Sequence, residues 1–348
     1  MKRIEWLDIM KGLGILCVVA SHVYGGEYFE WFYMPLFFYV SGYLYKEPES
    51  AAVYVKTRFR HLLVPYFAYV LTMAVIVYLS YLWLAVAPDK SLGHFLEFCA
   101  RLCWGGEALG GVFPYIGRSF GPFWFLTALF ATQILYLAIR RIAKQREWLV
   151  GLFVASMYIA AILEGRFHGQ MCESFLRWGM FWNINVALMA TVYFYIGNMT
   201  FRIWESMAAE RRAVVGSMIA ALALLVIMLT FSLHGAGLIA YDVKYKFARY
   251  GTPGLNLLTT MAILYLLQYV CSVIADTRGL LRTLLEECGK ASLVIMFVHT
   301  YVIFTMKDYS VTDQNTLRMM FSMVICYALY SLFLQTKITR KLFLGMKN

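Results

Sequence analysis

The sequence predicts an all-α, polytopic membrane protein with about ten transmembrane helices and both termini on the cytoplasmic side. Of its 348 residues, 61% are hydrophobic and only 15% are charged, which is far from the composition of a soluble domain. The apolar residues gather in runs near the length that crosses about 30 Å of hydrocarbon. Because lipid offers no partner to backbone polar groups, each run is expected to be a helix. The runs are roughly 6–24, 32–46, 62–87, 122–139, 148–164, 180–200, 213–233, 255–275, 291–307 and 317–336.

The basic residues predict the orientation of these helices. With a cytoplasmic N-terminus, 21 of the 31 Lys and Arg residues fall at the inner segments, as the positive-inside rule requires. Membrane topology therefore explains the net charge of +11, so the lipid bilayer is the expected partner and nucleic acid is not. No linker, soluble domain or internal repeat interrupts the pattern, which predicts a single domain over residues 1–348.

The first apolar run carries Asp8, Lys11 and His22, and ionisable groups in a membrane segment need a functional reason. Lys11 and His22 are eleven residues apart, close to three helical turns, so they share one stripe with Asp8 a turn earlier. A rise of about 1.5 Å per residue separates Lys11 from His22 by about 16 Å along the axis. Because Asp8 and Lys11 interrupt the apolar stretch and no A-x-A-type site follows, we expect an uncleaved first transmembrane helix.

The three residues of this stripe suggest chemistry, each beside a plainer alternative. A neutral imidazole at His22 can accept the proton of a hydroxyl that attacks a thioester, or it can hydrogen-bond between helices for packing. Asp8 can balance the charge of the stripe or cap the helix. Lys11 can contact a cofactor phosphate or extend to the membrane interface. A cofactor with an anionic end and a long thin arm, such as coenzyme A, suits such a track.

The second run contains MPLFFYVSGY at 34–43, where Pro35 is expected to free backbone groups and Ser41 and Gly42 permit close helix approach or a kink. Together, DIMKGLGILCVVASH at 8–22 and this stretch resemble the opening of the membrane-bound acyltransferase 3 family. Its signature, a basic residue, ten intervening positions and a histidine, is met by Lys11 and His22. Further similar stretches follow in the same order, so the resemblance covers about residue 4 to about residue 335: RFRHLLVPYF at 58–67, GPFWFLTALF at 121–130, YFYIGN at 193–198 and GKASLVIMFVH at 289–299.

This resemblance implies an O-acyltransferase of the bacterial cytoplasmic (inner) membrane. It would move an acetyl group from cytoplasmic acetyl-CoA to a hydroxyl of a sugar in an envelope glycan, without a metal. Tyr33 stands where many members of the family have a histidine. The implied site residues are His22 and Asp8 for catalysis, Lys11, Arg58 and Arg60 for the cofactor, and Tyr33, Ser41, Trp124 and His299 for the substrate.

Several alternatives stay open at this point. Arg140 and Arg141 are further candidates for binding the cofactor's phosphates, although positive-inside bias also explains basic loops. A transporter or flippase for a glycan-linked or small solute, with the charged stripe lining a pathway, is the second hypothesis, and an inactive assembly subunit is the third. The sequence does not identify the acceptor or the acyl donor. It also leaves open whether transfer is direct or passes through an acyl-enzyme intermediate, and whether the protein is a homo-oligomer.

Overall fold

The computed structural model describes residues 4–83, 92–105, 121–174, 179–239 and 242–346. Every predicted apolar run contains a helix, and the fold is almost wholly α-helical. The helices are α1 Glu5–Tyr24, α2 Glu27–Glu30, α3 Tyr33–Tyr43, α4 Ala51–Arg58, α5 Val64–Trp83, α6 Leu92–Trp104, α7 Trp124–Ile142, α8 Glu147–Ser174, α9 Ile184–Ser206, α10 Ala209–Gly235, α11 Leu255–Ala275, α12 Leu280–Lys290, α13 Ser292–Asp308, α14 Asn315–Phe333 and α15 Lys337–Phe343.

Two strands form a short hairpin between α10 and α11. These strands, β1 Val243–Lys244 and β2 Arg249–Tyr250, pair antiparallel with Val243 opposite Tyr250. A 3₁₀ turn at Tyr245–Phe247 joins them. The apolar runs gave no sign of this hairpin.

The number of helices that can span a membrane is close to the predicted number. In the described ranges, eight helices are long and apolar enough, and α12 with α13, bent by 83°, makes a ninth if the pair is one span. The all-α, polytopic membrane architecture is thus confirmed. The count falls short of ten because α3 has only 11 residues, about 16 Å of helix, roughly half the thickness of the hydrocarbon.

Two compact units make up the chain. The first comprises residues 1–47, 138–168 and 188–292, and the second comprises 48–137, 169–187 and 293–348. Each unit is built from three separate segments of the chain, so neither corresponds to a continuous half of the sequence. The single domain over 1–348 stays a prediction.

In the first unit, α1 and α12 touch backbone to backbone through two glycines. A Cβ on Gly12 would lie 1.9 Å from the carbonyl oxygen of Leu285, and one on Gly289 would lie 1.9 Å from that of Asp8. Since no side chain fits at such a distance, each glycine is needed for this approach. The N-terminal half of α1 is therefore fixed on α12.

A second pair of glycines brings α3 against α9. A Cβ on Gly42 would lie 1.9 Å from the carbonyl oxygen of Phe194, and one on Gly197 would lie 2.1 Å from that of Tyr39. The predicted close approach at Gly42 is confirmed. The prediction that Pro35 frees backbone groups is wrong, because Pro35 lies in the first turn of α3, where its missing N–H breaks no bond within the helix.

The second unit has an aromatic core. The rings of Tyr69 and Phe297 stack with centroids 4.2 Å apart, and Phe123 packs on Phe297 at 4.6 Å. These contacts join α5 to α13 and to the residue just before α7. Phe123 and Phe297, from the stretches that resemble the family at 121–130 and 289–299, thus supply core packing in this unit.

Candidate active site

The N-terminal part of α1 holds an ion pair. The Nζ atom of Lys11 lies 2.6 Å from Oδ1 of Asp8; the aspartate side chain is 9% exposed and the lysine 26%. The helix begins at Glu5, after Ile4 at the N-cap position, so the alternative that Asp8 caps the helix is wrong. Asp8 instead balances the charge of Lys11.

A further cation follows the glycine that contacts this end of α1. Lys290 comes directly after Gly289 and is held by Glu286 at 2.9 Å and by Glu287 at 2.5 Å. Sequence reasoning did not single out Lys290, although it lies in the GKAS stretch that resembles the family. The one sequence feature that could have pointed to Lys290 as a site residue is its position next to a glycine.

The C-terminal end of α1 gathers side chains from three elements. Ser21 donates a hydrogen bond to the carbonyl of Val18, 2.8 Å away, and the Tyr33 hydroxyl of α3 lies within hydrogen-bonding reach of the Ser21 side chain. Lys246, in the turn of the hairpin, lies close enough to act electrostatically on His22. The predicted residues His22 and Tyr33 therefore occupy one neighbourhood, which Lys246 also enters.

His22 lies in the last turn of α1 with an exposed side chain. A histidine that serves only to pack helices together would be buried between them, as His299 is. An exposed imidazole that lies near an ammonium group can instead exchange a proton with a bound molecule.

Among the basic residues proposed for anion binding, Arg140 is taken up by structural contacts. Its buried guanidinium binds Glu47 at 3.1 Å and Glu147 at 2.7 Å, and Arg202 shares Glu147. These bonds join the ends of α7, α8 and α9 to the chain after α3. Because two carboxylates already neutralise Arg140, it is a poor ligand for a cofactor phosphate.

Arg58 and Arg60 belong to an irregular turn in the second unit, which Arg58 directly precedes and which contains Arg60. The segment Phe59–Leu63 is a π-helix, closed by a bond from the Val64 N–H to the Phe59 carbonyl. Pro65 explains this irregularity, because its ring has no N–H and would clash with the carbonyl four residues earlier in a regular helix. Such π turns often occur at functional sites.

The Arg58 side chain has unused hydrogen-bonding capacity. Its guanidinium lies over the ring of Tyr54, 4.8 Å from the centroid. Its buried Nε atom has no hydrogen-bond partner within the described part of the chain. Arg60 is half-buried. Both positions stay predictions for the cofactor.

The remaining predicted substrate residues are less accessible than His22. Trp124 is 5% exposed at the start of α7, and His299 is fully buried in α13. The Nδ1 atom of His299 lies 2.6 Å from the Ile295 carbonyl, which can only accept, so Nδ1 carries the hydrogen. Ser41 is half-buried beside Gly42 on α3.

The nominated residues are thus divided between the units. Asp8, Lys11, His22, Tyr33 and Ser41 belong to the first, whereas Arg58, Arg60, Trp124 and His299 belong to the second. The structure brings Asp8 to Lys11 and Tyr33 to the last turn of α1.

Comparison with known proteins gives one match. The model of a family described as an acyltransferase domain matches residues 4–335, whereas no curated protein and no solved structure matches the chain. The match runs from just before α1 to just after α14, and thus includes both ends of the polar stripe. The chain therefore belongs to the acyltransferase 3 family and is a multi-pass membrane acyltransferase.

Proposed function

We propose that this acyltransferase, in the bacterial cytoplasmic membrane, transfers the acetyl group of cytoplasmic acetyl-CoA to a hydroxyl of an envelope sugar, with His22 as general base. The observation that carries this proposal is the unbroken helix α1, which holds Lys11 near one end and an exposed His22 at the other. Eleven residues of helix separate the two by about 16 Å.

That separation favours an extended acyl donor. A donor with phosphates at one end and a thioester at the other can place its anionic end at Lys11 and its reacting end at His22. Lys11 is partly exposed and is positioned by Asp8, and an ammonium group is a suitable ligand for phosphate. Coenzyme A has the required form. Arg58 and Arg60, which belong to the second unit, stay predictions for contacts with the cofactor.

The reaction needs one base and no redox partner. The imidazole of His22 accepts the proton of the sugar hydroxyl while the hydroxyl oxygen attacks the thioester carbonyl carbon. The tetrahedral intermediate then collapses, the carbon–sulfur bond breaks, and the leaving thiolate takes the proton from the imidazolium. The products are an O-acetylated sugar and free coenzyme A.

The reaction also requires stabilisation of the developing negative charge and binding of the sugar, and side chains near the C-terminal end of α1 can supply both. The ammonium group of Lys246 offers positive charge near the reacting centre, where negative charge develops on the carbonyl oxygen in the transition state. The hydroxyl groups of Ser21 and Tyr33 can hold the sugar, whose own hydroxyl groups donate and accept hydrogen bonds.

The test uses purified full-length protein in nanodiscs, radiolabelled acetyl-CoA and a mixed pool of envelope glycans, with His22→Ala in parallel. We expect label to leave coenzyme A for a glycan only with the native protein, and the labelled product then identifies the acceptor class. If both proteins are folded and neither binds nor consumes acetyl-CoA, the proposal is wrong. Uptake of a glycan-linked solute into proteoliposomes would then be measured instead.

A further inference from the structure

The short hairpin before α11 is fixed to two helices of the first unit. The hydroxyl of Tyr245 lies 2.7 Å from that of Tyr193 on α9. The carbonyl of Ala248 faces Gly165 on α8, where a Cβ would lie 2.3 Å from the carbonyl oxygen. A hydrogen bond and a backbone contact thus hold opposite sides of the hairpin, so its side chains have defined positions.

A pocket of about 630 Å³ lies between the hairpin region and the C-terminal half of α8. Its volume is in the range of pockets that bind small molecules, about 300–1,000 Å³. The polar side chains that line it are those of Arg166 on α8 and of Asp242, Arg249, Tyr250 and Thr252. The pocket therefore combines two guanidinium groups with hydroxyl donors.

Only one of the two arginines has an ion pair in the described residues. Arg249 binds Asp242 at 3.0 Å, whereas the exposed Arg166 has no carboxylate partner there. Tyr250 is only 4% exposed, and its buried hydroxyl has no hydrogen-bond partner in the same part of the chain. A guanidinium and a buried hydroxyl that both lack an acceptor are suited to an anionic oxygen group.

The charges around the pocket favour an anion. Burial, and to a smaller degree the carboxylate of Glu164, raise the pKa of the Tyr250 hydroxyl well above its usual range. Tyr250 therefore keeps its proton at any physiological pH and can donate it in a hydrogen bond. Among the charged side chains that line the pocket, two are basic, Arg166 and Arg249, and one is acidic, Asp242.

We propose, on the basis of the acetyl transfer proposed above, that this pocket binds an acidic group of the acceptor, a carboxylate or a phosphate. Arg166 is its counter-ion, and the Tyr250 hydroxyl is a second donor. The hairpin also carries Lys246, which acts on His22, so a single rigid element connects the pocket with the proposed base. The acceptor is accordingly an acidic glycan rather than a neutral one.

Direct binding tests this assignment without requiring turnover. Full-length protein in nanodiscs of zwitterionic lipid is titrated with methyl glucuronide, with methyl glucoside 6-phosphate and with methyl glucoside, their neutral counterpart. We expect at least one acidic sugar to bind about tenfold more tightly than the neutral one. Arg166→Gln should abolish that preference, and Tyr250→Phe, which removes only the hydroxyl oxygen, should reduce it severalfold.

A matched variant controls for the general effect of positive charge. Arg278 is an exposed arginine of the same unit, outside the pocket, so Arg278→Gln should keep the full preference. Equal binding of the acidic and neutral sugars by native protein overturns the proposal. An unchanged preference in both folded Arg166→Gln and folded Tyr250→Phe, checked by size exclusion and circular dichroism, also overturns it.

Two further measurements complete the test. The first distinguishes a lipid headgroup from the acceptor as the bound anion, and the second distinguishes failure of the pocket assignment from failure of the proposed acetyl transfer. If an anionic phospholipid added to the nanodiscs removes the preference in native protein, the pocket holds a lipid headgroup and the acceptor assignment is wrong. Tight binding of acidic sugars without consumption of acetyl-CoA supports the pocket and contradicts the proposed transfer. Acetyl transfer that is equally fast to acidic and neutral sugars contradicts the pocket alone.

Discussion

The two ends of α1 differ in how tightly they are held. Near the N-terminus, Gly12 lies against the backbone of α12, and Lys11 forms an ion pair with a mostly buried aspartate. At the C-terminus, a Cβ added to Gly25 would meet no atom of the described residues within 4 Å, and the side chain of His22 is exposed. One helix thus combines a packed anchor with an accessible functional group.

This difference indicates how a membrane helix can carry a reacting side chain. Backbone contact at one end fixes the position and rotation of the whole helix, because an α-helix is stiff over a few turns. The opposite end can then present the exposed side chain of His22 in a defined direction. Rigid support of an accessible group is what a catalytic arrangement requires.

The largest effect is expected at the accessible end. His22→Ala should lower kcat for acetyl transfer by about 10²–10⁴-fold, the usual contribution of a general base, while the protein stays folded because the side chain is exposed. Tyr24→Phe, in the same turn, is the matched control and should retain activity. Radiolabel transfer and the thermal unfolding midpoint measure the two properties. Full activity in His22→Ala would show that His22 is not the general base.

A substitution that disturbs the packed N-terminal end of α1 should lower the free energy of unfolding. Gly289→Ala places a methyl group against the carbonyl of Asp8, and such overpacking costs about 1–3 kcal/mol of unfolding free energy. Gly151→Ala in α8 is the control, because among the described residues its Cβ would meet only the Tyr195 hydroxyl, at 3.6 Å. The control should be neutral or slightly stabilising, as alanine is the better helix former.

Thermal unfolding of both glycine variants in the same detergent makes this comparison. A lower midpoint for Gly289→Ala than for Gly151→Ala is the expected outcome. Equal midpoints would mean that α1 and α12 are not in backbone contact, and the contrast between the two ends of α1 would then disappear.

The sequence predicts α1 well because its signals are local. The long apolar run and the spacing of Lys11 and His22 act within α1 itself. On α3, the small residue Gly42 likewise acts through the immediate packing surface of its own helix. The helical stripe and the close approach at Gly42 follow from these features. The sequence also shows Gly12 and Gly289, but not that each faces the other's helix, because that pairing depends on the tertiary fold.

Short elements and distant contacts were not predictable in this way. The hairpin has two residues in each strand, too few for an alternating pattern to stand out. The proximity of Lys246 to His22 follows from the docking of that hairpin on α8 and α9. Likewise, the apolar run at 32–46 is longer than the helix it contains, since α3 covers only Tyr33–Tyr43.

A smaller effect is expected for the cation near the packed end. Lys11→Met removes the ammonium group but keeps a side chain of similar length, and should raise the KM for acetyl-CoA about tenfold, equivalent to about 1.4 kcal/mol. The kcat at saturating donor should change much less. Lys46→Met, at an exposed lysine of the same unit, is the control. A normal KM in Lys11→Met would show that Lys11 does not bind the donor.

The smallest effect should come from the hydroxyl group beside the accessible end. Tyr33→Phe keeps the aromatic ring at the start of α3 and removes only the group within reach of Ser21. Loss of one hydrogen bond should lower kcat/KM for the acceptor about three- to tenfold and leave the KM for acetyl-CoA unchanged. Tyr28→Phe, at a tyrosine that is 48% exposed, controls for loss of a hydroxyl in this region. A change in the donor KM instead would place Tyr33 on the donor side of the reaction, and the C-terminal end of α1 would then serve both substrates.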